Sequence, residues 1–194
     1  MPTESSRLRS LTMIALSAAL MAVCSFITVP NPFVPFTLQT FGLYVTILLL
    51  GGRRATLAVL LYLALGAVGL PVFSGFRGGI GALLGFTGGY LIGFLFCSLT
   101  AWGLEKLLPE GTLREGLSLA IGTLVCYAFG TAWFVAVYTG EKGPIGLMTV
   151  LTTCVLPFLI PDALKGVLAL IVSGRLKRAL PRFFGRRENG RDKK

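Results

Sequence analysis

Asp162 and Lys165 carry the strongest chemical signal in the chain. Asp162 is the one acid between Glu141 and Glu188, and it lies three residues before Lys165 in an apolar stretch. At that spacing two side chains share one face of a helix. An isolated charge in a spanning helix costs about 2.5–3.5 kcal/mol on insertion scales. A self-neutralising ion pair would merely tolerate burial; a polar pole inside a binding pocket would use it, and ionisable residues at membrane depth are functional by default. Pro157 and Pro161 lie just upstream and should free backbone groups beside the pair. A third charge, Arg77, sits within residues 71–81, where glycines permit close backbone approach to a ligand.

Other chemistries are excluded. The chain has no histidine, which removes imidazole-ligated metals and His-based catalysis. None of its lysines follows a glycine, so there is no phosphate-cradling lysine. Gly79-Ile80-Gly81 fails the dinucleotide spacing, because Leu84 stands where the third glycine belongs. Cys24, Cys97, Cys126 and Cys154 lack metal or redox spacing and read as small buried hydrophobes. One Asp–Lys pair without a nucleophile and base is not a catalytic site. We therefore expect no enzyme, no metal and no cofactor.

The elements that must position these residues belong in a membrane. Of 194 residues, 54% are strongly hydrophobic and 13% charged, about half the charge of a soluble domain. Residues 11–52 contain no charge at all. Runs of about 20 apolar residues make spanning helices. Six are expected: 11–29, 38–50, 55–70, 83–104, 117–138 and 145–172, the last interrupted by Pro157 and Pro161. The second is too short to span and must bend, tilt or begin as non-helical chain in a protein cavity. The segment 31–39 is too proline-rich for regular helix. Irregular backbone at membrane depth cannot face lipid, so these segments are expected to share a ligand cavity.

Loop charges orient the spans. With six spans both termini lie on one side, and that side collects 15 of the 18 basic residues. Arg77 and Lys142 fall on the other, and Lys165 within the last span. The positive-inside rule then makes both termini cytoplasmic and puts the loops near Pro32, Arg77 and Lys142 outside. The expected fold is an all-α integral membrane protein: a compact bundle of six transmembrane helices with irregular ligand-binding loops on the outer side. Residues 1–180 form a single domain, and 181–194 a basic, disordered cytoplasmic tail that chiefly signals orientation and meets membrane lipids, not nucleic acid. In the first span, Ala15/Ala19 and Ala18/Ala22 are two overlapping small-residue pairs that let another helix approach closely, within the bundle or from a partner.

Several segments together resemble the BioY family, the biotin-specific substrate-binding (S) component of energy-coupling factor (ECF) transporters. They are the alanine-rich first helix, Val34-Pro35-Phe36-Thr37-Leu38-Gln39-Thr40-Phe41, Leu49-Leu50-Gly51, and Tyr62 with Gly66-Ala67-Val68-Gly69-Leu70-Pro71-Val72-Phe73. Gly85-Phe86-Thr87-Gly88-Gly89-Tyr90-Leu91-Ile92-Gly93, Gly130-Thr131-Ala132-Trp133 and Pro161-Asp162-Ala163-Leu164-Lys165 continue the match. The sequence departs from the family pattern at Phe86, where proline is typical, and at Pro161, where glycine is common before the aspartate.

The resemblance implies high-affinity capture and uptake of biotin across the cytoplasmic (inner or plasma) membrane, in an ATP-driven complex with a transmembrane coupling protein and two cytoplasmic ATPases. It also implies that the alanine face, Ala15, Ala18, Ala19 and Ala22, docks on the coupling protein. Biotin's chemistry fits the residues. Asp162 can accept ureido hydrogen bonds, and Lys165 or Arg77 can pair with the carboxylate. Thr37, Gln39, Thr87 and Tyr90 offer neutral polar contacts, with the backbone of Gly79 and Gly89 nearby. The competing reading is a stand-alone proton-coupled carrier using Asp162, for which no internal repeat is evident. A passive channel would need oligomeric rings of polar residues.

Overall fold

The computed structural model describes residues 4–31 and 33–184. Among them it is mostly helical: α1 (Glu4–Phe26), α2 (Gln39–Leu50), α3 (Gly52–Ala67), α4 (Ile80–Leu84), α5 (Gly88–Leu107), α6 (Thr112–Lys142), α7 (Leu147–Cys154), α8 (Leu156–Ala179) and α9 (Pro181–Phe184). Two short strands, β1 (Thr28–Val29) and β2 (Phe36–Thr37), pair antiparallel. Among the described residues, three helical stretches are long and apolar enough to cross a membrane: Arg7–Phe26, Thr112–Lys142 and Leu147–Ala179.

Helical periodicity decides which faces turn inward. Ile14, Ala18, Met21 and Ser25 line the inner face of α1, and Ala55, Ala58, Val59, Tyr62 and Gly66 that of α3. α1 packs on α2 and α3, α3 on α5, α5 along α6, and α8 on α2 and α6. α2 also touches α3 and α5, and its residues Gly42 to Leu48 are all buried. It is therefore the central helix, surrounded by longer ones. Leucines, valines and isoleucines remain exposed on the outer helices, among them Val68 (86%) and Ile160 (74%). So large an apolar exterior suits lipid rather than water.

Four expectations are corrected. The first helix ends at Phe26 rather than Val29, because Val29 precedes Pro30 and is biased to extended backbone, which β1 uses. The proline-rich segment after it is a hairpin held by Thr28↔Thr37 and Val29↔Phe36 pairing, not simply irregular chain. The fourth expected helix is split into α4 and α5 by Gly85–Thr87, where Gly85 is extended (φ −71°, ψ −178°). The last breaks at Val155, earlier than its prolines suggest. Pro157 then falls in the first turn of α8, where its missing N–H costs nothing, so only Pro161 interrupts helix bonding.

The tail expected to be disordered from residue 181 opens with the helical turn α9; residues 185–194, and the Pro32 of the expected outer loop, lie outside the described residues. All four cysteines are buried and free. Cys97 packs against Gly122 and Cys126 against Gly93, where a Cβ on either glycine would press into the sulfur. That is a close-packing role between α5 and α6.

Candidate functional site

A cavity of about 550 Å³ opens at the N-terminal end of α2, within the range of small-molecule sites. Its wall comes from every irregular segment singled out by prolines and glycines: the β1–β2 hairpin, the 73–77 turn, the α4–α5 break and the start of α8, together with α6.

Asp162 stands on α8 with 4% of its side chain exposed. Its Oδ1 accepts Lys165 Nζ at 2.7 Å and Thr40 Oγ1 at 2.9 Å, and its Oδ2 accepts the Tyr127 hydroxyl at 2.6 Å. Lys165 also donates to the Thr37 carbonyl at 2.8 Å and to Thr40 Oγ1 at 3.1 Å. An ammonium has three N–H donors, so every one is engaged. A carboxylate has about four lone-pair sites; three are taken, and the vacant one is on Oδ2.

Around this pole the polar groups are tied in place. Thr37 Oγ1 donates to Gln39 Oε1 at 3.2 Å. Gln39 Nε2 donates to the Tyr62 hydroxyl, which donates to the Val72 carbonyl at 2.9 Å. Ser25 reaches the same carbonyl at 2.7 Å, and Thr28 meets Ser74 at 3.2 Å, so the hairpin and the 70–77 loop are joined. The ring of Phe73 lies on Gly66, where any Cβ would collide with it, and meets Tyr62 edge-on. Trp133 Nε1 donates to the Gly85 carbonyl at 3.1 Å and secures the α4–α5 break.

Apolar surface completes the enclosure. Phe36 stacks on Phe158 with centroids 4.2 Å apart. Phe33 and Phe86, from two different loops, both lean on Phe134 and Tyr138 of α6, and Lys142 lies over Phe86 and Tyr138. Phe86 thus joins an aromatic cluster at the cavity wall.

Of the residues expected here, Asp162, Lys165, Arg77, Thr37, Gln39, Thr87 and Tyr90 all line the cavity. Gly79 and Gly89 do not. Gly79 has φ +90° and donates to the Gly66 carbonyl, a turn that starts α4. Gly89 lies against Trp133, where a Cβ would collide, so it brings α5 close to α6. Arg77 is exposed at the rim, with no acidic group within 4 Å among the described residues.

The alanine pairs of α1 are divided. Ala15 and Ala19 are exposed, whereas Ala18 is 1% exposed and Ala22 half-buried against the core. Ala18 therefore serves internal packing and cannot meet a partner without unpacking α1.

Sequence reasoning did not single out Thr40 and Tyr127 as site residues. Both had a signal. Thr40 follows Gln39 in the same polar stretch, and Tyr127 places a hydroxyl within the uncharged run 116–140, where it needs a partner.

The chain is similar to known proteins over nearly its whole length. A family model described as the BioY family matches residues 1–182. The biotin transporter BioY2 of Lactococcus lactis subsp. cremoris is 36% identical over 178 residues, covering 91% of this chain and 94% of that protein. A probable biotin transporter BioY of Pyrococcus horikoshii is 37% identical over 169 residues, covering 87% and 96%. The crystal structure of the S-component for biotin from an ECF-type ABC transporter superposes with a TM-score of 0.81 at 28% identity, covering 95% of this chain and all of that one.

Proposed function

The chain belongs to the BioY family, and from that premise we propose that it is the S component that captures biotin for an ATP-driven ECF transporter. It is a transport subunit and not an enzyme. The observation that carries the proposal is the cavity itself: a buried carboxylate with one vacant lone pair, among aromatic rings, below an exposed arginine.

In this reading the ureido ring sits at Asp162, where Oδ2 accepts one N–H. The thiolane ring and the tail lie among Phe73, Phe86, Phe94 and Phe158. Arg77 pairs with the biotin carboxylate, because the three donors of Lys165 are engaged, whereas Arg77 has no acidic partner within 4 Å among the described residues. Lys165 holds Asp162 and the α2 start in register. Thr37, Gln39, Thr87 and Tyr90 supply neutral contacts.

The chain spans the cytoplasmic membrane six times, with α1, α2, α3, α5, α6 and the α7–α8 pair as spans. Both termini are cytoplasmic and the cavity is outside, following the loop charges. Ala15 and Ala19 dock on a transmembrane coupling protein, and two cytoplasmic ATPases drive transport. The neighbour described as a component of an ABC transporter supports this division of labour over a stand-alone proton-coupled carrier.

Calorimetric titration of biotin into the purified protein tests the proposal directly. Saturable binding with one biotin per chain is expected, and no heat from biotin at high micromolar concentration would overturn it. Impermeant maleimide labelling of single cysteines at Asn31, Ser74 and Lys142 in intact cells tests the orientation; unlabelled sites there would reverse it.

A further inference from the structure

α2 is central and only 12 residues long, about 18 Å at helical rise. The helices around it are longer, so the bundle is left unfilled beyond both of its ends. One void holds Asp162. The other, of about 800 Å³, opens at the C-terminal end of α2, among the start of α1, the α2–α3 turn, the α5–α6 turn and the end of α8.

This second void is amphiphilic. Its floor is apolar, with Met13, Ile47, Leu48 and Ala101. Its sides carry five basic side chains, Arg9, Arg53, Arg54, Arg114 and Lys177, against three carboxylates, Glu105, Glu110 and Glu115. Two of the carboxylates are visibly engaged: Glu115 accepts Lys177 at 2.6 Å, and Glu105 accepts the Gly52 backbone N–H at 2.8 Å. Arg53, Arg54 and Arg114 have no acidic oxygen within 4 Å among the described residues. Three guanidinium groups therefore line one recess without a carboxylate paired to any of them among the described residues. A guanidinium matches phosphate oxygens in paired hydrogen bonds.

We propose that this recess binds the phosphate headgroup of an anionic phospholipid. The phosphate chemistry could come from a free anion, but the surroundings favour a lipid. Leu8 (67% exposed), Leu11 (64%) and Leu113 (78%) flank the same end of the bundle, and acyl chains would cover them. Basic pockets between spanning helices near the membrane surface are where such headgroups are held. The site is separate from the Asp162 cavity and does not depend on what that cavity binds.

The test uses the purified full chain in a neutral detergent, titrated with fluorescent phosphatidylglycerol and with the phosphatidylcholine analogue. Saturable, phosphatidylglycerol-selective binding is expected. The triple variant Arg53→Gln, Arg54→Gln, Arg114→Gln should weaken it by at least about tenfold. A control with equal charge loss outside the recess, Lys106→Gln, Arg175→Gln, Arg178→Gln, should leave it unchanged. Arg114→Lys keeps the charge but loses the fork and should give a smaller loss, which covers the case of a misfolded triple variant; thermal midpoints check folding throughout. Equal losses in the recess and control variants would overturn the proposal, as diffuse charge attraction. Displacement of the lipid by low-millimolar inorganic phosphate would overturn it in favour of a free-anion site. Unchanged lipid binding in folded triple variant, with lost co-purification of the coupling protein, would make the recess a protein-docking surface instead.

Discussion

Replacing Asp162 by Asn keeps the volume and removes the charge, and the surrounding network determines the cost. Three donors converge on the carboxylate: Lys165, Thr40 and Tyr127. An amide has one oxygen. If that oxygen keeps Lys165 and Thr40, the amide NH2 faces the Tyr127 hydroxyl, whose proton loses its acceptor, and meets the biotin N–H donor against donor. A hydrogen bond to a charged group contributes about 1.5–3 kcal/mol. Losing one to the ureido group predicts roughly 10- to 100-fold weaker biotin binding. Folding stability should fall as well, by about 1–3 kcal/mol for a buried donor left unpaired. The two losses are separable through Lys165→Met. That change leaves Asp162 its Thr40 and Tyr127 donors and its vacant lone pair, so it should lower stability and cost biotin less affinity than Asp162→Asn. Calorimetry on monodisperse protein, with thermal midpoints measured alongside, reads both quantities. Unchanged biotin affinity in well-folded Asp162→Asn and Lys165→Met protein would refute the reasoning and leave the pair a purely structural one.

Arg77→Gln should weaken biotin by about tenfold but leave biotin methyl ester unaffected, since the ester lacks the charge that Arg77 would meet; equal loss for both ligands would remove Arg77 from the carboxylate. Ala15→Trp or Ala19→Trp should abolish co-purification with the coupling protein while biotin titrates normally. Ala18→Trp should instead reduce the folded yield, because that side chain is 1% exposed and the core has no room for an indole. Ser173 is buried and its hydroxyl has no hydrogen-bond partner among the described residues. Ser173→Ala should therefore raise the thermal midpoint, by about 1 kcal/mol of stability; a lower midpoint would reveal a partner for the hydroxyl.

What the sequence determined by itself were the features that one-dimensional patterns carry. The apolar runs located the long helices, though their ends lie up to seven residues away at Glu4 and Ala179, because burial and lipid contact impose hydrophobicity along the membrane-embedded length while the helices run on into polar ends. The prolines and glycines marked the irregular segments, because backbone freedom is a property of residue type. Asp162 and Lys165 stood out because charge in an apolar run is costly wherever it occurs. Partnership between distant positions was decided only in three dimensions. Thr40 and Tyr127 lie 122 and 35 residues from Asp162, and no local spacing reports that their hydroxyls meet its oxygens. Ala15/Ala19 and Ala18/Ala22 are equivalent as spacing; the rotation of α1 against α2 and α3 leaves the first pair exposed and buries Ala18. Gly89 looked like ligand-facing backbone until the indole of Trp133 occupied its open side. The two cavities share this origin. The shortness of the second apolar run was legible, but its central position among longer helices, and hence the void at each of its ends, comes from packing alone.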